Sequence, residues 1–308
     1  MAIETAGDLT IRPGRLSAFD AFLCNSRIFG TPQGALRFVI EFIWFGVKEA
    51  RSCLFAGLFF LSIFLVPKAG ISGLPRYDVL LVVALSIQFF MLWSRLETWD
   101  EAKAIGLFHI VGFALELFKT SGSIGSWSYP DIAYTKVMGV PLFSGFMYAA
   151  VGSYIIQAWR LLDLRITHHP SYWMATAIAL CIYLNFFTHH YIGDYRWYIC
   201  ACVIGLYART TVTFRPYDRT RRMPLLLAFL LIGFFLWLAE NFSTFFGIWR
   251  YPNQIGVWST VHIGKWSSWS LLVIMTFTIV AHLKTSSADR RADLNSASPS
   301  PAAAMPSV

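Results

Sequence analysis

The chain has 308 residues, 56% of them hydrophobic and only 14% charged, with a formal net charge of +8 and a mean hydropathy of +0.54. This composition excludes an ordinary soluble domain and is that of an integral membrane protein. The basic residues are spread along the chain instead of forming the patch a nucleic acid needs, so no nucleic-acid partner is expected.

Residues 1–35 are polar, with Arg12, Pro13 and Arg15 and no apolar run, and read as a cytoplasmic segment, not a signal peptide. In "LRFVIEFIWFGVKEAR" the residues Arg37, Glu41, Trp44 and Lys48 form one polar stripe on an otherwise apolar helix. The stripe predicts an interfacial amphipathic helix over 36–50 lying on the membrane; a continuation into the first span is the competing reading.

A single membrane domain over 51–285 follows. Eight runs, at 52–67, 78–96, 102–119, 138–162, 171–189, 194–213, 223–246 and 259–283, are long enough to cross a hydrocarbon core of about 30 Å with some tilt. The fold class expected is therefore all-α integral membrane with eight transmembrane helices. Seven is the alternative, because the first run is short and His109 and Glu116 interrupt the third. The tail 286–308 is Ser-, Pro- and Ala-rich and reads as disordered.

With eight spans, the two tails and the even-numbered loops hold 18 of the 25 Lys and Arg residues, against 7 on the other side. The positive-inside rule then places both termini in the cytoplasm of a bacterial inner membrane. Cys24, Cys53, Cys181, Cys200 and Cys202 have neither zinc-site spacing nor a case for a disulfide.

Two near-copies stand out: "GSWSYP" at Gly125–Pro130 and "GIWRYP" at Gly247–Pro252, each downstream of a glutamate in apolar sequence, Glu116 and Glu240. The two tryptophans lie 122 residues apart and the two glutamates 124. Such an offset predicts two parallel four-helix repeats, 52–162 and 171–283, with both cassettes on the outer side. Glycine permits a turn, and the residue before proline is extended. Trp127 and Tyr129, and likewise Trp249 and Tyr251, then present their rings to one side. Interface anchoring explains the aromatics alone, but not their combination with Gly, Pro and an upstream Glu.

Ionisable groups inside spans are costly and usually functional. Glu116 and Glu240 are candidate catalytic acids, with His109 two helical turns below Glu116 and His262 at the start of span eight as proton relays. The competing reading pairs the acids with Lys119 or Arg250, or has them cap the following loops. Trp127, Tyr129, Trp249, Tyr251, Asn185, Asn241, His189 and His190 complete a candidate substrate-binding set near the outer level. Trp258, His262, Trp266 and Trp269 form a stripe on span eight, and Gly145, Ala149 and Gly152 suit close packing of span four. In "RLETWDEAK" Thr98 is a plausible N-cap with Glu101 three residues on, so Glu97, Asp100 and Glu101 read as helix-terminus acids. No histidine series, Rossmann glycines, P-loop or serine elbow occurs, so neither metal nor cofactor is expected.

The blocks "LWSRLETWDEAKAIGLFHIVGFALELFKT", "GSWSYP", "GVPLFSGFMYAAVGSYIIQAWRL", "YLNFFTHH" and "WLAENFSTFFGIWRYPNQ" resemble the bacterial membrane family called domain of unknown function 817, over roughly residues 35–285. That resemblance implies no activity. The spacing from Trp127 to Pro141 is also similar to a pattern in membrane carotenoid hydratases and membrane-type lycopene cyclases, which implies protonation of an apolar polyene. Here, however, Leu142, Phe143 and Ser144 stand where those enzymes place acids.

Two functions from different classes follow. One is a membrane enzyme acting on a lipid or isoprenoid, an apolar or amphiphilic molecule, by proton transfer at the Glu pair. The other is a proton-coupled small-solute transporter. A non-catalytic assembly protein is the third reading.

Overall fold

The computed structural model describes residues 17–25, 30 and 33–297, with side chains through Lys284. Among these residues the chain forms α1 (Ala18–Leu23), α2 (Gly34–Ser52), α3 (Leu54–Leu65), α4 (Arg76–Trp93), α5 (Trp99–Lys119), β1 (Lys136–Val137), β2 (Val140–Pro141) and α6 (Ser144–Leu161). It continues with β3 (Arg165–Thr167), α7 (Tyr172–Thr188), α8 (Arg196–Tyr207), β4 (Thr211–Phe214), β5 (Arg221–Pro224), α9 (Leu225–Phe245), a 3-10 turn (Pro252–Gln254) and α10 (Lys265–Ala297). The protein is thus mostly helical, and each of the eight apolar runs holds one helix, α3 to α10.

Among the described residues, three helices are long and apolar enough to cross a membrane: α4, α9 and the stretch Lys265–Lys284 of α10. The helices α3, α7 and α8 are apolar but shorter. At 21 residues α5 has the length, but it carries Asp100, Glu101, Lys103, Glu116 and Lys119.

Helix α5 starts where its sequence provides for it. Thr98 accepts from the Glu101 backbone N–H and Glu101 accepts from that of Thr98, a complete capping box. Helix α6 packs closely along α5 because its small residues leave room: a Cβ on Gly152 would come within 2.2 Å of the Phe108 ring, and one on Gly145 within 2.6 Å of His109. Gly233 of α9 abuts Ser270 of α10 in the same way. The largest helix contacts are α5 with α6 and α9 with α10; α3 packs on α4 and α6, and α7 packs on α8 and α10.

Polarity is distributed inside out. Val82, Leu85, Phe89 and Trp93 line an exposed stripe of α4, while Glu97, Glu116, Lys119, Gln157, Arg160 and Glu240 are buried. Exposed aromatics gather at both ends of the helices, with Trp93, Trp99 and Trp173 at one and Tyr191, Trp197 and Tyr198 at the other.

At the end opposite the two cassettes, β3, β4 and β5 form an antiparallel sheet, beside a buried polar network. Arg51 makes a two-pronged contact with Asp20 at 3.0 and 3.1 Å, and Arg160 reaches Glu101 and the Leu96 carbonyl. Besides its place beside the cap, Glu97 is a buried acceptor for Ser153 at 2.5 Å and Gln88 at 2.7 Å. The polar stripe of α2 also turns inward: Arg221 donates to Glu41 at 3.1 Å, Lys48 to the Arg215 carbonyl at 2.9 Å, and Trp44 to the Leu23 carbonyl at 2.8 Å. Its outer face is apolar, with Leu36, Phe38, Val39, Phe42 and Ile43 exposed. Burying Glu41, Trp44 and Lys48 is tolerable because each finds a partner.

Helix α10 continues to Ala297, past the start of the tail at 286, because Ala, Asp, Arg and Leu in "ADRRADLNSA" do not break a helix. Residues 298–308, and residues 1–16 at the other end, lie outside the described residues.

Candidate functional site

The site is built by two helix ends and the cassettes that fold back over them. After α5 the Ser126 N–H closes on the Lys119 carbonyl at 2.9 Å; after α9 the Ile248 N–H closes on the Ser243 carbonyl at 3.0 Å. In both cases the acceptor is three residues beyond the glutamate and the donor directly follows the cassette glycine. Gly125 and Gly247 adopt φ of 56° and 71°, which glycine takes without the steric cost other residues bear. The turns bring the two cassettes edge to edge, with Ser128 and Arg250 paired as an antiparallel bridge. The Tyr77 hydroxyl of α4 ties both down, donating to the Ile248 carbonyl at 2.6 Å and accepting from the Asp131 N–H at 3.3 Å.

Each glutamate meets its own cassette. Glu116 accepts from Trp127 Nε1 at 2.8 Å and the Tyr129 hydroxyl at 2.9 Å through Oε2, and from the Tyr148 hydroxyl at 2.8 Å through Oε1. Glu240 accepts from the Tyr251 hydroxyl at 2.6 Å and from Trp269 Nε1 at 2.8 Å. The expected same-side presentation of Trp and Tyr thus holds for the first cassette, whose rings share one carboxylate. In the second, Tyr251 reaches its glutamate while Trp249 packs on Tyr129, with centroids 6.5 Å apart. Trp127 packs on Tyr251 at 6.0 Å, so each tryptophan touches the other cassette's tyrosine. Burial and the adjacent Glu116 carboxylate hold the Tyr129 hydroxyl well above the ordinary tyrosine range, and burial and Glu240 do the same for Tyr251. Both phenols therefore stay protonated as donors.

Between the glutamates lies a cavity of about 120 Å³, whose walls include Trp127, Tyr148, Trp249, Tyr251 and Trp269 together with the cations Lys119, Arg196 and Lys265. Lys119 does not pair with Glu116. Its Nζ lies 2.8 Å from His190 Nε2 and 3.3 Å from His189 Nε2. The His189 Nδ1, 2.8 Å from the Asn185 carbonyl, carries the ring hydrogen in this geometry, so Nε2 offers its lone pair to the ammonium. Arg196 bonds Asp194 at 3.1 Å and the Gly264 carbonyl at 3.2 Å. Lys265 sits over the Tyr251 and Trp127 rings, 4.8 and 5.4 Å from their centroids. Among the described residues, neither Glu116 nor Glu240 has an ion-pair partner within 4.0 Å, and no group of three His, Cys, Asp or Glu is placed to hold a metal ion.

The structure thus gathers Glu116, Glu240, Trp127, Tyr129, Trp249, Tyr251, His189 and His190. It does not bring in the other four. His109 faces α6, stacked on Phe113 and against Phe146, with no partner for its buried Nδ1. It lies on the α5 stripe below Glu116, but that stripe turns from the cavity toward Gly145 at this depth. His262 is exposed and caps the Gly264 N–H. Asn185 braces the turn between α7 and α8 through Asp194 and the Tyr195 N–H. Asn241 holds the Val261 N–H and the Trp237 carbonyl. Sequence reasoning did not assign Tyr148, Trp269, Lys265 or Arg196 to the site. The repeat carried no usable signal for the first two: Tyr148 and Trp269 stand 32 and 29 residues after Glu116 and Glu240, so they do not occupy equivalent positions.

Fold and site together define a mostly helical protein, with three helices able to cross a membrane and a buried acid-and-aromatic pocket at one end. The chain belongs to the family described as Protein of unknown function (DUF817), which it matches over residues 41–277. It is 51% identical over 249 residues to the Bacillus subtilis (strain 168) protein called Uncharacterized protein YoaT, covering 81% of this chain and 94% of that one. No solved structure matches it. These matches lend no support to the likeness with carotenoid hydratases and lycopene cyclases.

Proposed function

We propose that this is an eight-span protein of the bacterial inner membrane, made of two four-helix halves in the same orientation, and that the pocket between them belongs to an enzyme moving a proton on a lipid or isoprenoid. The observation that carries the reading is that Glu116 and Glu240, from helices in equivalent positions, wall the same cavity. Support for two halves comes from the matched pairings: α3 with α4 and α6, as α7 with α8 and α10, and α5 with α6, as α9 with α10. The exposed apolar helix faces and the aromatics at both ends fit a bilayer with its two interfacial belts. The 18-to-7 distribution of basic residues supports a topology with the cassettes on the outer side.

A carboxylate offers about four lone-pair sites. Glu116 has three of them engaged and Glu240 two, so Glu240 is the better placed to exchange a proton with a ligand, while Glu116 fixes the lid and supplies a counter-charge. The aromatic walls exclude water. Their role as a platform for a developing cation is limited by Lys265, which already occupies the faces of Trp127 and Tyr251. The test is the extractable lipid profile of a deletion strain, complemented with wild type, Glu240→Gln or Glu116→Gln. A product should vanish on deletion and return only with wild type; an unchanged profile in the deletion sinks the reading.

Same-oriented halves meeting at a polar pocket also suit a proton-coupled transporter. The cavity lies at one end of the helices, which favours the enzyme. Solute uptake into vesicles that depends on Glu240 would reverse that preference.

A further inference from the structure

The glutamates of the cavity take their hydrogen bonds from uncharged groups, the phenols of Tyr129, Tyr148 and Tyr251 and the indoles of Trp127 and Trp269. The two lysines around them are consequently left without an acid partner at ion-pair distance. Lys119 is only 6% exposed, yet its ammonium meets two imidazole nitrogens. The Lys265 ammonium touches only ring faces among the described residues. Arg196 alone has a carboxylate, Asp194, which lies outside the cavity wall. Lys119 feels the like charges of both Lys265 and Arg196. Lys119 is buried and Lys265 half-buried; they repel each other, and the carboxylates that attract Lys265, those of Glu240 and Glu116, stay beyond ion-pair distance, an arrangement that an anion between the lysines would relieve.

We infer that the cavity binds a compact anionic group, a carboxylate or phosphate, seated between Lys119, Lys265 and Arg196 with Glu240 beside it. The inference rests on the proton-transfer reading only in naming what that site would hold. Three cations converge from three separate elements, the end of α5 and the starts of α8 and α10, which a merely structural lysine does not require. The volume, about 120 Å³, admits a group of several heavy atoms. Below it the wall becomes apolar: Leu115, Tyr148 and Leu272 are shared with a narrow crevice lined by Phe108, Val111, Tyr183 and Met275. The anion has two possible sources, the headgroup of an amphiphile or a free ion.

The experiment uses the purified full chain in a neutral detergent, with binding followed by tryptophan fluorescence, since Trp127, Trp249 and Trp269 wall the cavity. The probes are decanoate, decyl phosphate, decanol and inorganic phosphate. An anionic probe should bind at least about tenfold more tightly than decanol. Lys265→Met and Lys119→Met should each remove about tenfold of that preference, and Lys265→Arg should keep it. Decyl phosphate binding above inorganic phosphate assigns the anion to an amphiphile, and equal binding assigns it to a free ion; both support the site. Decanol matching decanoate on the wild type overturns the inference, as does full anion binding by both Met variants that elute as folded protein. Glu240→Gln separates the two readings: if it binds anions normally and still restores the lipid profile, the proton-transfer role fails and the anion site stands.

Discussion

Ser128 and Arg250 exchange both of their backbone hydrogen bonds, each at 2.9 Å, so two hexapeptides 122 residues apart in sequence lie side by side over one cavity. Residues paired in this way hold their Cα atoms about 5.5 Å apart, within disulfide range. With the five native cysteines replaced, Ser128→Cys/Arg250→Cys should cross-link under mild oxidation, read as a mobility shift reversed by reductant. Single variants should show no shift. Absence of the cross-link in folded protein would separate the cassettes and dissolve the shared site.

Removing the Glu116 carboxylate orphans three donors at once, the buried Tyr129 and Tyr148 hydroxyls and the half-buried Trp127 indole. Glu116→Leu should therefore lower stability in detergent by roughly 3 kcal/mol or more, each unsatisfied group costing about 1–3 kcal/mol with incomplete additivity. Glu116→Gln keeps an acceptor oxygen and should cost about 1 kcal/mol. Thermal unfolding of the two variants checks this. Equal losses would mean that the three bonds do not hold the lid.

Gly112 gives a sharper contrast. A Cβ there would lie 2.3 Å from Cγ of the Tyr148 ring, whereas one on Gly106 of the same helix meets nothing within 4 Å. Gly112→Ala should cost about 1–3 kcal/mol through overpacking and disturb the Tyr148–Glu116 bond. Gly106→Ala should be neutral or slightly stabilising, by up to about 1 kcal/mol, because alanine is the better helix former. Melting curves of both variants read the difference.

The histidines give a pH signature. Desolvation beside Lys119, then the charge of that ammonium, push the His190 imidazole down to about 4. An unfolded imidazole takes up its proton near pH 6.5. Between these values the unfolded chain binds more protons, so the stability contribution is complete above about pH 6.5 and is lost as the pH falls towards 4. His190→Gln should flatten the fall in melting temperature across that window. A parallel decline in wild type and variant would contradict the Lys119 contact.

Much of the helical framework was legible because burial in a membrane-type protein is written into local composition. Eight apolar runs gave eight helices, and Thr98 with Glu101 marked where α5 begins. Part of the site was legible for a different reason. A repeated Gly-x-Trp-x-Tyr-Pro after an embedded glutamate is a local signal for a turn and for two donors returning to one acceptor, and Trp127, Tyr129 and Tyr251 do return. What failed was inference along single helices. His109 shares a stripe with Glu116, but at its depth that stripe faces Gly145 of α6 rather than the cavity, and His262 and the two asparagines serve the backbone of their own turns.

By itself, then, the sequence determined the helices, the two glutamates and the glycine turns, all of which depend on residues within a turn or two of one another. Only the tertiary structure decided that the polar stripe of α2 faces inward, that each tryptophan packs on the other cassette's tyrosine, and that Lys119, Arg196 and Lys265 converge on one cavity, the two lysines with no acid at ion-pair distance. Those relationships join residues up to about 180 positions apart, as Arg221 and Glu41 are. They arise because buried charges and donors must find partners wherever the packing of helices brings them, and no local periodicity encodes that choice.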